Sequence, residues 1–425
     1  MPFVQRELVA KGVTFANAFV TNPQCCPSRV SILTGRYAHS TGVWSNVPPN
    51  GGFPAFHDDR STIATWLHAA GYRTALVGKY LNDYEAAAHR GYVPPGWDRW
   101  VAIAEENGHY YDYDLTVNGT LVHRGHAPGD YSTDVLTREA VDFIKTARRP
   151  FFLYFAPAAP HDPYIPAPPD TTACPDLAPY RPSSFGEDDV SDKPGFIRKL
   201  PWSETEVEMA DQTRLGQCRT LLDVDRSVER IVSALRATGA LSSTLIVFTS
   251  DNGLLWGEHR LSYKSVPYEE SIRVPMVMRY DPMTNSPRVE QRFVLNVDLA
   301  PTFAALAGLP HRPLGGRSLV PLLRGETVPW RVSFPLEHAH GNERIPIPDY
   351  CGVRTPRWMY AEYGTGAEEL YDLTSDPWEL ENLASRPSLT TVRERLHALT
   401  VRRCQPFPPG FLTGSARPAQ WVRSR

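Results

Sequence analysis

Short apolar runs of strand length alternate with amphipathic helical stretches along most of this chain. TALVG (74–78), FFLYF (151–155) and TLIVFTS (244–250) are continuous and apolar, as buried strands are. Between them lie stretches with helical spacing. Ser61 to Ala70 puts Ile63, Trp66, Leu67 and Ala70 on one face and ends at Gly71. Residues 133–146 turn Val135, Leu136, Ala140, Phe143 and Ile144 inward, and 205–238 carry a long stripe of Leu215, Cys218, Leu222, Val228, Ile231 and Leu235. Such alternation predicts an α/β domain on a large, mostly parallel sheet flanked by helices. A sheet of that kind usually opens with a strand feeding the first helix. Here the first pattern is a helix over 3–10 followed by the strand-like VTFANAFV (13–20), so a further strand is expected upstream of Met1. The other reading is a fold that begins with a helix.

The texture changes after Trp330. VSFPLEH, CGVRT, WMYAEY and EELYDL read as short antiparallel strands, followed by a helix near 389–402. The expected division is a large domain over 1–329 and a small α+β subdomain with a tail over 330–425. Within the first part, LTVNGTLV (115–122) reads as a hairpin turning at Asn118-Gly119.

Composition excludes several classes of function. Lysine plus arginine total 44 against 47 acids, a net charge of −3, without the basic excess of a dedicated nucleic-acid binder. No apolar run approaches the roughly 20 residues of a membrane span. The six cysteines form no C-x-x-C pair, so no zinc site is expected from them. Cys351 and Cys404 are the candidate disulfide in an oxidising compartment. Only positions 11, 79, 145, 193, 199 and 264 are lysine in an arginine-rich background, which draws attention to each, although codon bias alone produces such a skew.

In an open parallel sheet, ligands bind beyond the carboxyl ends of the strands. TALVG runs into Lys79, FFLYF into a proline-rich loop that reaches His161, and TLIVFTS into Asp251-Asn252-Gly253. Singly, each has a plain structural explanation: a solvated strand-end charge, a loop cap, a tight turn. Jointly they place a lysine, a histidine and an Asp-Asn pair on one rim. Asp251 and Asn252 offer hard oxygen ligands suited to calcium or magnesium. Lys79, Lys264, Arg29 and His161 add positive charge, a combination built for a tetrahedral oxyanion such as sulfate or phosphate. In CCPSRVSILTGR (25–36), Pro27 suits the first turn of a helix, which puts Cys25 at a helix N-terminus where the dipole favours a thiolate. Arg29 lies one turn on. These residues fit a buried structural cysteine pair, or a cysteine nucleophile paired with His161.

A third reading comes from resemblance. C-x-P-S-R followed by L-T-G-R, intact here as Cys25, Pro27, Ser28, Arg29 and Leu33-Thr34-Gly35-Arg36, resembles the signature of the sulfatase family, of alkaline-phosphatase-like fold. GYRTALVGK (71–79) resembles its second signature, APHDPY (159–164) its histidine loop, SDNG (250–253) its late metal motif, and Lys264 its downstream sulfate-binding lysine. GKYLNDY (78–84), PPGWDRW (94–100) and YYDYDLTVNG (110–119) are most similar to the N-acetylglucosamine-6-sulfatase branch, whose members act on sulfated glycosaminoglycans. The resemblance implies that a separate modifying enzyme converts Cys25 to formylglycine. One oxygen of the hydrated aldehyde attacks sulfur and expels the sugar alcohol, and collapse of the remaining diol then releases sulfate. It further implies Ca2+ (or Mg2+) held by Asp251, Asn252 and the modified Cys25. Arg29 stabilises the ionised diol, Lys79 and Lys264 hold sulfate oxygens, and His161 serves the leaving group.

Two departures from the family pattern stand out. Leu81 occupies the place of a usual histidine, with Asn82 or Tyr84 near enough to fill it. The Asp-Asp pair that ends the family's first strand has no counterpart before Cys25, and Asp58-Asp59 comes too late in the chain. A longer natural chain would supply that pair and a leader peptide, placing the protein outside the cytoplasm or in the periplasm; without them a cytoplasmic location follows. The alternative functions are a phosphonate or phosphate ester hydrolase of the same superfamily, and a sulfated-glycan-binding protein without turnover.

Overall fold

The computed structural model describes residues 1–104, 110–148, 150–284, 286–341 and 345–411. The chain opens with α1 (Pro2–Glu7), β1 (Val13–Phe15) and β2 (Ala18–Phe19). Next come α2 (Cys25–Thr34), α3 (Ile63–Ala69), β3 (Arg73–Gly78), β4 (Arg99–Ile103), and the hairpin of β5 (Tyr113–Val117) and β6 (Thr120–Arg124). α4 (Ser132–Thr146), β7 (Phe151–Ala156), the long α5 (Glu204–Ala237) and β8 (Ile246–Thr249) continue the alternation. Each expected strand and helix is present within a few residues of its sequence limits. Asn118 and Gly119 both take left-handed φ angles, 50° and 88°, as a two-residue hairpin turn requires.

The α/β architecture stands, but its sheet is divided and mixed in direction. One sheet runs β6-β5-β4-β3-β7, where only β4, β3 and β7 are parallel. The other contains β8, β1, β11 (Met276–Arg279) and β12 (Arg288–Glu290) in the order β12-β1-β11-β8, where only β1 and β12 are parallel. The hairpin and β11 turn back on their neighbours, which apolar runs alone do not reveal. β7 and β8 are the edge strands that face each other. Phe151 and Leu153 share an apolar cluster with Ile246, and Tyr154 shares another with Val247. Both strands are half-buried along their whole length, whereas β3 is fully buried after Arg73.

α4 buries the five apolar residues its periodicity marks. α5 buries only Leu235 of its expected stripe: Leu215, Cys218, Leu222, Val228 and Ile231 are half-buried, while Asp223, Asp225 and Ser227 are buried. That face is polar because it anchors other segments. Asp225 accepts hydrogen bonds from the backbone N–H groups of Phe3 and Val4 at 2.8 and 2.9 Å, and Ser227 receives one from Thr137 at 2.7 Å. The expected Cys351–Cys404 bond is not formed. Both are free thiols in one apolar cluster with Phe411. The disulfide is Cys174–Cys218, which ties the proline-rich segment after β7 to α5.

After β11 the chain forms β12, β13 (Val294–Leu295) and a helix over Leu299–Leu306, then a four-stranded antiparallel sheet. Its strands are β14 (Phe334–His338), β15 (Tyr350–Arg354), β16 (Trp358–Tyr363) and β17 (Glu368–Asp372). The helix Thr390–Arg403 covers one face, with Leu396 against Val353, Tyr360 and Leu370. The other face joins Phe19 of β2 and Leu295 of β13 in a single cluster with Phe334, Leu336 and Tyr350.

Candidate active site

α2 begins where its sequence says it should. Gln24 caps it in an extended conformation, and Gly35 ends it in the left-handed region at φ 68°. Every residue of this helix is buried, so it has no solvent-exposed face and its first turn is enclosed by the protein. Asn46 adds to this by accepting the Cys26 N–H at 2.9 Å.

The first turn carries Cys25, 3% exposed, and three strand ends deliver charge to it. Lys264, from the loop beyond β9 (Leu255–Trp256) and β10 (Ser262–Tyr263), brings its Nζ to 2.8 Å from the Cys25 Sγ and 3.0 Å from Asn252 Oδ1. Arg29 is fixed on three sides, donating to Asp251 Oδ2 through Nε at 2.8 Å and NH2 at 2.7 Å, and to the Tyr80 carbonyl at 2.7 Å. Lys79 follows β3, and its N–H bonds the Ala156 carbonyl at the end of β7 at 2.7 Å. Gly78 makes that approach possible: its φ is 126°, and a Cβ there would lie 2.0 Å from the Ala156 oxygen.

Electrostatics follow from this packing. Burial alone would raise the Cys25 thiol, but Lys264, with Lys79 and Arg29 behind it, pulls it down to about 6. Cys26, one residue on and equally enclosed, is pushed up to about 12 because burial prevails there. Burial also lowers the Lys79 ammonium to about 8, with Arg29 and Lys264 adding repulsion. Arg29 and Lys264 hold the Asp251 carboxyl below its ordinary range despite its burial. Three cations therefore surround one thiol and one carboxylate, which is a setting for a further anion.

Cys25, Arg29, Lys79, Asp251, Asn252 and Lys264 thus converge. His161 sits on the loop after β7 with its ring bonded to its neighbour: Nδ1 is 2.8 Å from Asp162 Oδ1, and the side chain is 32% exposed. The group bonded to the thiol is Lys264 rather than His161, so the cysteine–histidine pairing of thiol hydrolases is not what the geometry presents. Leu81 is a core residue, and Tyr84 donates to the Tyr92 carbonyl and accepts from Trp100, away from Cys25. Asn82 is buried with its Oδ1 unpaired and lies beside Cys26. Asp58 and Asp59 pair with Arg36 and Tyr92 on the surface. Sequence reasoning passed over Asn46 and Tyr154. Asn46 sits in an irregular loop without any motif. Tyr154, beneath Arg29 and pushed up to about 12 by burial, was legible only from its pleat position in β7.

A divalent cation would meet Asp251 and Asn252 here. They offer two of the roughly six to eight oxygens that calcium takes. Asp251 already accepts from Arg29, and Asn252 from Lys264. Among the described residues, Asp251 is the carboxylate whose charge Cys25, Lys79 and Arg29 all feel. These two oxygens, each already engaged by a protein cation, would fill only part of a calcium shell, and the oxygens of a modified Cys25 would add to them.

A family model described as Sulfatase matches residues 1–309, and one described as N-sulphoglucosamine sulphohydrolase, C-terminal, matches residues 257–405. The N-acetylglucosamine-6-sulfatase of Bos taurus is 33% identical over 418 residues, covering 88% of this chain and 74% of that protein. An extracellular sulfatase homologue of Drosophila melanogaster is 35% identical over 359 residues, covering 81% of this chain and 32% of that protein. A solved structure described as in complex with its substrate, D-glucosamine-2-N,6-O-disulfate, superposes with a TM-score of 0.81 at 24% identity, covering 94% of this chain and 92% of that one.

Proposed function

The chain belongs to the sulfatase family and is a sulfuric ester hydrolase, and from that premise we propose that it removes the 6-sulfate of N-acetylglucosamine-like sugars with formylglycine derived from Cys25 as nucleophile. The observation that carries the reading is the contact between Cys25 Sγ and Lys264 Nζ, 2.8 Å, at the start of a buried helix ringed by Arg29 and Lys79. The sulfur marks where the oxygens of formylglycine would stand. Enzymes of this family generally use that residue, whose hydrate supplies a geminal diol able both to attack and to release sulfate, together with a divalent cation.

The chain's own residues take the following parts. Arg29 cannot swing away, being held by Asp251 and the Tyr80 carbonyl, so it keeps a fixed charge beside the nucleophile. Lys79 and Lys264 hold two sulfate oxygens and oppose the charge that grows on them. Asp162 fixes a proton on Nδ1 of His161 and leaves Nε2 for the leaving oxygen of the sugar. The Cys174–Cys218 disulfide suits an oxidising compartment, which supports secretion or a periplasmic location. Among the described residues no helix is long and apolar enough to cross a membrane.

The test is sulfate release from N-acetylglucosamine-6-sulfate by protein co-produced with a formylglycine-generating enzyme. Mass spectrometry of the Cys25 peptide verifies the modification. Turnover is expected, with Cys25→Ala abolishing it and leaving the circular dichroism spectrum unchanged. A faster reaction on the matching phosphate ester would move the assignment to phosphoester hydrolysis. Retained binding of sulfated sugar without turnover by fully modified protein would make the chain a glycan-binding protein instead.

A further inference from the structure

A second cluster of ligand-type side chains lies beneath the loop that carries Lys264. One donor atom from each of His259, Glu270 and Glu379 falls within 4.8 Å of the others. His259 is 0% exposed and Glu379 1%. His259 Nε2, Glu270 Oε2 and Glu379 Oε1 all lack a hydrogen-bond partner. A buried imidazole nitrogen and two carboxylate oxygens left unpaired together are costly, since each has given up water and gained nothing. Arg273 and Arg354 donate to Glu269 and make no hydrogen bond to these three atoms.

The groups around the cluster hold it in place. Glu187 Oε2 sits 2.6 Å from His259 Nδ1 and is itself bridged to Lys193 at 3.1 Å, which orients the ring and directs Nε2 toward the carboxylates. A carboxylate behind a histidine is the usual support of a metal-binding imidazole. The ring also stacks on Tyr268, with centroids 4.2 Å apart. The other oxygen of Glu379 accepts the Glu269 N–H at 2.9 Å.

We propose that His259, Glu270 and Glu379 bind a divalent transition metal, zinc or manganese, at a site separate from Cys25. One imidazole and two carboxylates form a mixed nitrogen–oxygen set of three protein ligands with room for water. That set suits zinc or manganese better than calcium, which prefers oxygen throughout. Metal bonds of about 2 Å draw the three donors together with a small contraction. Two carboxylates balance the charge of the ion.

The position gives the metal a structural task. His259 and Glu270 bracket the stretch that contains Lys264, and Glu379 follows β17 in the C-terminal part of the chain. Within that stretch His259, Arg260, Tyr263 and Ser265 all hold positive φ angles, 53°, 60°, 80° and 81°. A strained loop of this kind persists when something over-determines it. The metal would clamp both ends of the Lys264 loop to the segment that follows β17.

Titration of zinc chloride, and separately manganese chloride, into chelator-treated full-length protein tests the site, read by metal content after desalting and by the melting temperature. The wild type is expected to retain one equivalent and to melt at a higher temperature when loaded. Glu379→Gln and Glu270→Gln are expected to lose at least about tenfold in affinity, and the melting shift with it. Asp251→Asn, at the Cys25 site, is expected to retain the metal. Should Glu379→Gln not fold, Glu270→Gln, at the less buried ligand, decides. Absence of stoichiometric binding by the wild type overturns the proposal and leaves a protonated carboxylate cluster. Binding that survives both glutamine variants, or that disappears with Asp251→Asn, overturns it equally.

Discussion

Two adjacent cysteines at the start of α2 behave oppositely because one faces three cations and the other faces the core. In protein that has not been modified, Cys25 is expected to titrate near pH 6, with the thiolate present above that value and the thiol below it. Cys26, pushed up to about 12, and Cys351 and Cys404, both raised by burial, stay protonated across this range. Ultraviolet thiolate absorbance should therefore show one transition near pH 6. Lys264→Ala removes the largest opposing charge, so the transition should move upward; an unmoved midpoint would mean that Lys264 does not set it. At this scale the sequence was informative. Cys25, Arg29, Lys79, Asp251 and Asn252 were legible because strand ends and a helix start are local patterns, whereas Lys264 was marked by its resemblance to the family's downstream lysine. The partner of the thiol was not legible, since the chain between residues 25 and 264 reveals no distance.

At the scale of elements, the delivery of Lys79 to the site depends on a contact between two strands. Gly78→Ala places a Cβ 2.0 Å from the Ala156 carbonyl oxygen and asks alanine to hold φ 126°. The variant should lose about 2–4 kcal/mol of stability. Urea denaturation measures the loss, and a stability unchanged from wild type would show that β3 and β7 can separate without cost. α5 shows why element reading has limits. Its periodicity marked a helix correctly, but the buried face includes Asp225, which holds α1, Ser227, which holds α4, and Asp223, which pairs with Arg226 of the same helix. Periodicity reports apolar burial and is blind to polar burial that is satisfied by a distant partner.

Over the whole molecule, the separate parts are held by a disulfide and by a shared core. Cys174 and Cys218 close a loop spanning 44 positions, so opening it should cost about 3–4 kcal/mol by loss of the constraint on the unfolded chain. Replacing both with serine, with folding followed in denaturant, measures this; a change under about 1 kcal/mol would show that the α5 contacts suffice. We read residues 330–425 as a subdomain that depends on the rest, because Phe334, Leu336 and Tyr350 share one cluster with Phe19 and Leu295. A chain ending at residue 329 should accordingly bind a hydrophobic dye and lack a cooperative melt. A sharp transition in that fragment would establish the first part as autonomous.

The sequence by itself determined the alternation of strands and helices, the C-terminal antiparallel strands, the turn at Asn118-Gly119 and the residue types that surround the nucleophile. These follow from periodicity, turn chemistry and residue type, which act over a few neighbours. The tertiary structure alone decided the division of the sheet, the pairing of Cys174 with Cys218, the bond between Lys264 and Cys25, and the meeting of His259, Glu270 and Glu379. Each of these brings together segments that are 44 or more positions apart, or reverses a strand, and such closures depend on the packing of the whole chain.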